Sequence, residues 1–271
     1  LYSDYREMLS NHEFDIILIG TPDHWHALQA IAAMEAGAHV YLQKPICVDV
    51  IEGEAVVAAA SKYNRIVQVG LQRRNTPHLL EAKKNIVDSG MLGKIAHVEM
   101  NCYYHMKSMA SPPLQEVPDH LDYDLWTGPA PYRPYDGLPH RGWWRSFMEY
   151  GNGIMGDMCV HMFDATRWLL DLDWPNRISS QGGIYVQKQG KSNIADTQTA
   201  IFEYENLNCI WQHRTWGNSV DPEYPWAFKI FGEYGTLSGS TMKYDFTPRG
   251  KGEKIHRDCI CLLYTSPSPR D

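Results

Sequence analysis

The sequence predicts an α/β domain on a doubly wound parallel sheet, followed by an α+β domain on a mostly antiparallel sheet. Three observations predict this. Short apolar runs alternate with helical patterns through the first third of the chain. Glycines stand where those helices should stop. From residue 178 onward strand patterns follow one another with only turn residues between them.

The elements follow in order. Residues 4–9 read as the middle of a helix. Asp15-Ile16-Ile17-Leu18-Ile19-Gly20 is a continuous apolar run, as expected for a parallel strand covered on both faces. Thr21-Pro22-Asp23 is a turn with cap chemistry, residues 26–36 read as a helix, and Gly37 is placed to end it. His39-Val40-Tyr41-Leu42-Gln43-Lys44-Pro45 is a second strand closing on a lysine. The proline pushes that lysine towards extended geometry. Residues 51–63, 66–70 and 77–89 read as helix, strand and helix, the last closed by Gly90.

After Gly93 the character changes. Residues 94–104 are strand-like, and 106–150 form a long irregular stretch rich in Pro, Trp, Tyr and Gly, a length usually tied to function. Residues 156–170 read as a helix. Strands are expected at 184–186, 197–204, 208–216, 227–231 and 236–246, with hairpin turns at Glu205-Asn206 and Glu233-Tyr234-Gly235. The expected domains are 1–92 and 93–260.

Composition bounds the function. The chain has 271 residues, suiting about two domains at roughly 150 residues each. Apolar content of 44% and charged content of 21% are those of an ordinary globular protein. A net charge of -7 argues against a nucleic-acid surface. No apolar run reaches the ~18 residues that span a bilayer. The cysteines at 47, 102, 159, 209, 259 and 261 include no C-x-x-C pair, so reduced, buried thiols are expected. Residues 261–271 break every preceding pattern and read as a non-native tail translated from a sequencing adapter. The chain opens on Leu1 without Met, in mid-helix, and is expected to be a fragment. Its sequence does not indicate localisation.

Two groups of residues could carry chemistry. Lys44 stands at the carboxyl end of a strand, where open α/β sheets bind ligands, and Thr21-Pro22 follows the preceding strand in the same way. It reads either as a solvated loop lysine or as a site lysine beside a cofactor or substrate oxygen. Asp157, His161 and Asp164 would share one face of a regular helix. They read as a helix-surface contact, as a carboxylate-oriented general acid/base, or as metal ligands, though no metal-binding motif accompanies them. Arg141-Gly142-Trp143-Trp144-Arg145 could pack a cofactor, stack a sugar ring or anchor a loop. Trp126 and Trp216 suit either sugar stacking or core. His24 reads as structural, and His26 could line the cleft.

Taken together, several motifs resemble the Gfo/Idh/MocA family, the glucose-fructose oxidoreductase and inositol dehydrogenase group. They are Thr21-Pro22-Asp23-His24-Trp25-His26, Ala36-Gly37-x-x-Val40-Tyr41-x-x-Lys44-Pro45, Glu52-Gly53 and Val67-Gln68-Val69-Gly70-x-Gln72-Arg73-Arg74. Further along come Leu121-Asp122-Tyr123-Asp124-Leu125-Trp126-x-Gly128-Pro129-Ala130, Gly151-x-Gly153-x-Met155-x-Asp157-x-x-x-His161-x-x-Asp164 and Phe231-Gly232-Glu233-x-Gly235-Thr236-Leu237.

The resemblance implies a partial Rossmann domain followed by an open-faced β-sheet domain. It implies an NAD- or NADP-dependent oxidoreductase acting on a sugar, polyol or related hydroxy compound, and a homo-oligomer formed through the sheet domain. Lys44 would contact nicotinamide and reacting oxygen, His161 would be the general acid/base, and Asp157 would position it and bind substrate. Thr21, Pro22, His26, Gln43, Lys44 and Arg73 are expected along the cofactor cleft, and no metal is expected. The chain departs from the family in three ways. The Gly-rich phosphate turn and the ribose-binding acid are absent and are expected upstream. Gln43 stands where the family commonly has Glu. Cys159 stands where it has Gly. Two alternatives remain on this fold: an NAD-dependent glycosidase using transient oxidation, and a non-catalytic ligand-binding protein.

Overall fold

The computed structural model describes residues 1–103 and 106–259, and excludes the side chains of 141 and 142. The tail expected at 261–271 lies outside the described residues. The chain forms two compact units, one of residues 1–71, 106–160 and 187–194, the other of 72–105, 161–186 and 195 onward. They interleave along the chain, where the sequence suggested one boundary at 92/93. The reason is the long irregular stretch, which returns to the first unit. Trp25 Nε1 donates to the carbonyl of Leu125 at 3.2 Å, and Asn152 Nδ2 to that of Val48 at 2.6 Å.

In the first unit, helix α1 (Tyr5–Asn11) precedes strands β1 (Ile16–Ile19), β2 (His39–Gln43) and β3 (Val67–Gly70), with α2 (His26–Glu35) and α3 (Val50–Tyr63) as crossovers. The strands are parallel in the order β1-β2-β3, with Ile17 beside Val40 and Val40 beside Val67. Ala27, Ala30 and Ala33 let α2 lie close to the sheet, where they meet Ile19, Val40 and Leu42 in the core. Gly37 ends α2 with φ of 95°, a backbone angle that costs glycine nothing. One expectation fails here. Ile16 and Leu18 are 66% and 73% exposed, so β1 is covered on one face only among the described residues.

The second unit opens with α4 (Pro77–Ala82) and carries an eight-stranded sheet. Its strands are β4 (Ile95–Cys102), β5 (Arg177–Gly183), β6 (Thr197–Glu203), β7 (Asn208–Arg214), β8 (Trp226–Gly232), β9 (Gly235–Ser240), β10 (Lys243–Pro248) and β11 (Ile255–Asp258). Their order is β11-β10-β9-β8-β4-β7-β6-β5, antiparallel except for the β4–β7 pair. A short α5 (Tyr123–Thr127) belongs to the first unit. Helix α6 (Val160–Leu169) packs on the sheet through Phe163, whose ring stacks on Phe202 at 4.1 Å.

Two strand expectations are corrected. Residues 184–186 follow β5 and are not a strand, because the N–H groups of Tyr185 and Val186 bind the Asp196 carboxylate rather than a neighbouring strand. The run 236–246 is two strands, β9 and β10, joined by a turn at Thr241 and Met242 that Ser240 Oγ closes by accepting from Met242 and Lys243. Apolar alternation continues through such a tight turn, so the pattern alone does not reveal it.

Candidate active site

The parallel sheet of the first unit presents three loops at its carboxyl edge. After β1 come Thr21 and Pro22, then a 3-10 turn over Asp23–Trp25. Thr21 Oγ1 donates to Gln29 at 2.9 Å. Thr21 and Pro22 border a cleft of about 490 Å³ that Tyr5, Trp25 and Trp126 also line. His26 is fully buried, with Nδ1 2.6 Å from the Pro45 carbonyl and Nε2 2.9 Å from that of Thr21. Its polar atoms are thus spent on bracing the loops after β1 and β2. Burial lowers its pKa, and the nearby charges of Arg145 and Lys44 add to the effect, although both carbonyls favour a proton. The neutral ring donates one hydrogen bond, for which the Nδ1 contact is the shorter.

After β2, Gln43 folds back so that its Oε1 accepts from the Lys44 N–H at 2.8 Å. Gly70, at the end of β3, leaves room for that oxygen, since a Cβ there would lie 3.0 Å from it. Lys44 is only 8% exposed, and the peptide to Pro45 is cis. Its Nζ donates to the Asp157 carbonyl at 2.8 Å and to the Asp157 carboxylate. An ammonium has three protons, so one remains for a further acceptor.

Asp157 sits in a wide, π-type turn over Met155–Cys159 that leads into α6. The sequence suggested an unbroken α-helix from 156. Such π turns are frequent at functional sites and break the 3.6-residue period. Asp157 stands inside that turn, and His161 and Asp164 stand on the regular α6 that follows. His161 and Asp164 lie in the second unit and have other neighbours. The His161 ring meets Trp226 edge-on with centroids 5.5 Å apart. Asp164 accepts two hydrogen bonds from Arg74, at 2.5 and 2.9 Å. Arg73 is also in the second unit, its guanidinium 5.7 Å from the Trp226 ring.

Two further residues complete the first unit's cluster, Arg145 from the aromatic-basic stretch and Asp23 from the turn after β1. Arg145 Nε lies 3.2 Å from Asp157 Oδ1, and its guanidinium lies 3.9 Å from the Trp144 ring centroid. Its Nη2 is 3.7 Å from Asp23 Oδ1. Burial pushes the Asp23 carboxyl up to about 7, against the pull of Arg145 and Lys44, and Asp157 adds to the rise. Local sequence offers no signal for these pairings beyond a charged residue following two tryptophans.

The other aromatics divide. Trp126 packs with Tyr123, Tyr150 and His24, and His24 Nε2 lies 3.0 Å from the Trp126 carbonyl. Trp216 Nε1 donates to Thr197 at 2.8 Å. Trp143 is 48% exposed. Among the described residues no group of His, Cys, Asp and Glu could hold a metal ion, and no helix is long and apolar enough to cross a membrane.

Comparison with known proteins agrees with this architecture. The family profile "Oxidoreductase family, NAD-binding Rossmann fold" (GFO_IDH_MocA) matches residues 1–71. The profile "Oxidoreductase family, C-terminal alpha/beta domain" matches residues 78–225. An uncharacterized oxidoreductase, YrbE, of Bacillus subtilis is 27% identical over 199 residues, 73% of this chain and 47% of that protein. Levoglucosan dehydrogenase of Pseudarthrobacter phenanthrenivorans is 30% identical over 168 residues, 62% of this chain and 36% of that enzyme. The chain thus spans less than half the length of these two relatives. A crystal structure of an inositol dehydrogenase homolog from Azotobacter vinelandii, complexed with NAD+, superposes with a TM-score of 0.73 at 18% identity, covering 95% of this chain and 61% of that one. This last likeness is one of fold.

Proposed function

The chain belongs to the Gfo/Idh/MocA oxidoreductase family, and on that premise we propose that it serves hydride transfer between NAD or NADP and a hydroxyl-bearing carbon of a sugar or polyol. The observation that carries this reading is the buried Lys44 ammonium, held by Asp157 beyond the carboxyl end of β2. A buried cation with a proton to spare suits an oxygen that gains negative charge in the transition state. The names of the relatives, levoglucosan dehydrogenase among them, point to the same substrate class.

The residues present fit the nicotinamide end of the cofactor. Thr21 and Pro22 follow β1, Gln43 ends β2 and Lys44 follows it, all at carboxyl ends of parallel strands, where such ligands bind. The cofactor, when bound, supplies the hydride acceptor. Lys44 donates its free N–H to the substrate oxygen and stabilises the developing alkoxide. Asp157 aims Lys44 by accepting two of its hydrogen bonds. On the family pattern His161 takes the hydroxyl proton as general base.

The test is turnover by the full-length protein against a panel of sugars and polyols, read as formation of reduced nicotinamide. We expect His161→Ala and Lys44→Met to abolish it. Unchanged turnover in His161→Ala would remove His161 as the base. Release of saccharide without net reduced cofactor would replace the dehydrogenase by glycoside cleavage through transient oxidation. Binding without any turnover would favour a non-catalytic role.

A further inference from the structure

We infer that Asp23 and Arg145 form a positioning pair behind Lys44 and Asp157, with Asp23 as the titrating member that sets how tightly Asp157 holds Lys44. The inference rests on the reading of Lys44 and Asp157 as reacting groups, but its evidence is separate from that reading.

Arg145 stands between two carboxylates. Nε lies 3.2 Å from Asp157 Oδ1 and Nη2 lies 3.7 Å from Asp23 Oδ1. The guanidinium also lies over the Trp144 ring, 3.9 Å from its centroid. Asp23 is 2% exposed and opens the 3-10 turn after β1. Its Oδ1 has no hydrogen-bond donor within reach. Its Oδ2 is packed against Gly151, where a Cβ would lie 3.3 Å away. A carboxyl buried this deeply without a donor is costly unless it is neutral or answers a charge. The charge it can answer is that of Arg145.

The charge count shows what Asp23 decides. Lys44, Arg145 and Asp157 together carry one positive charge. With Asp23 protonated, Arg145 has a single acceptor, and Asp157 Oδ1 is shared between Arg145 and Lys44. Lys44 is then held more loosely and can turn to a substrate oxygen. With Asp23 ionised, the cluster is neutral, Arg145 is drawn towards Asp23, and Asp157 is left to Lys44. Asp23 titrates at about 7, raised by burial against Arg145 and Lys44 and further raised by Asp157, so the two states exchange near neutrality. The imidazoles closest in chain and space do not add charge there. Burial lowers the pKa of both His24 and His26, and Arg145 and Lys44 lower that of His26 further.

The test follows Lys44 itself. The chain is labelled with 13C-lysine, the Lys44 side-chain resonance is assigned by its loss in Lys44→Met, and it is followed from mildly acidic to mildly basic pH. We expect a step centred near the Asp23 midpoint, absent in Asp23→Asn. Arg145→Lys, which keeps the bridging charge, retains the step, and Arg145→Gln moves it to higher pH. Circular dichroism of each variant reports folding, and Arg145→Lys keeps the test decisive if Asp23→Asn does not fold. A Lys44 resonance without a step, or the same step in Asp23→Asn, overturns the inference. In the full-length protein, Asp23→Asn should flatten the pH profile of kcat. Arg145→Gln should lower kcat roughly 10- to 100-fold, as expected when a reacting group is misplaced by about 1 Å, with Arg145→Lys restoring most of it. An Asp23-dependent step without hydride transfer to any sugar or polyol would refute the function and leave the pair. Turnover with a pH profile unchanged in Asp23→Asn would refute the pair and leave the function.

Discussion

Removing Asp157 should destabilise the first unit more than removing Lys44, although each change breaks the same ion pair. The two side chains are 12% and 10% exposed, so neither charge is well hydrated. Asp157→Asn leaves the buried Lys44 ammonium beside the half-buried Arg145 guanidinium with no carboxylate between them. Breaking a buried pair in this way costs about 3–5 kcal/mol, because a charge stays behind uncompensated. Lys44→Met leaves Asp157 with Arg145 at 3.2 Å, so its carboxylate is still answered. That variant loses two charge-assisted hydrogen bonds, to the Asp157 carbonyl and carboxylate, each about 1.5–3 kcal/mol, and regains about 1.5–3 kcal/mol by burying the methionine. Urea denaturation, followed by circular dichroism and tryptophan fluorescence, should show the larger midpoint shift for Asp157→Asn, by roughly 1 M for a typical slope of a few kcal/mol per molar. Arg145→Gln alone should be mild for the same reason as Lys44→Met. The double variant Lys44→Met/Arg145→Gln should cost more than the sum of the two, since it strips Asp157 of both cations. Equal losses for Asp157→Asn and Lys44→Met, or additivity in the double variant, would refute the shared-carboxylate argument.

Three further outcomes follow from buried groups. Asp23 has its folded pKa raised from 3.8 to about 7, so the stability it contributes is full below about pH 4 and lost as pH rises through 7. Asp23→Asn should therefore gain about 4 kcal/mol relative to the parent between those limits, and parallel stability curves would contradict this. His213 has the opposite sign: burial lowers its pKa to about 4, and Trp211 Nε1 donates to its Nδ1 at 3.1 Å, which requires a neutral ring. Its contribution is full above about pH 6.5 and lost as pH falls through 4, so His213→Gln should remove about 3 kcal/mol of acid destabilisation, read as midpoint against pH. In Gly239→Ala the new Cβ would lie 2.1 Å from Phe228 Cζ, a fully buried ring, so the melting temperature should fall by the equivalent of about 1–3 kcal/mol; an unchanged value would show that Phe228 can move.

Much of the first unit is legible in the sequence because its elements are local. The strand at 16–19 is a run of isoleucine and leucine, that at 39–43 buries Val40 and Leu42 in alternation, and the alanines of α2 mark the face that meets them. Lys44 is legible for the same reason, since a strand end and a proline fix its place within a few residues. The π turn at Met155–Cys159 is not legible, because one inserted residue per turn changes no residue type. Nor is the split of 236–246 into two strands, where a turn interrupts a pattern that continues on both sides.

The sequence by itself determined the order of strands and helices in the first unit, the lysine at the end of β2 and the family pattern that gives it a role. Hydrophobic period, turn chemistry and motif spacing act over short stretches of chain, and each can be read in place. Only the tertiary structure decided which charges meet. Lys44 finds Asp157 from 113 residues away, and Arg145 reaches both Asp157 and Asp23. Coulomb forces depend on distance in space, and in a poorly hydrated interior a few ångströms separate a paired charge from a stranded one. That distance is set by the long stretch from 106 folding back onto the first unit, and no residue within it announces where it will land.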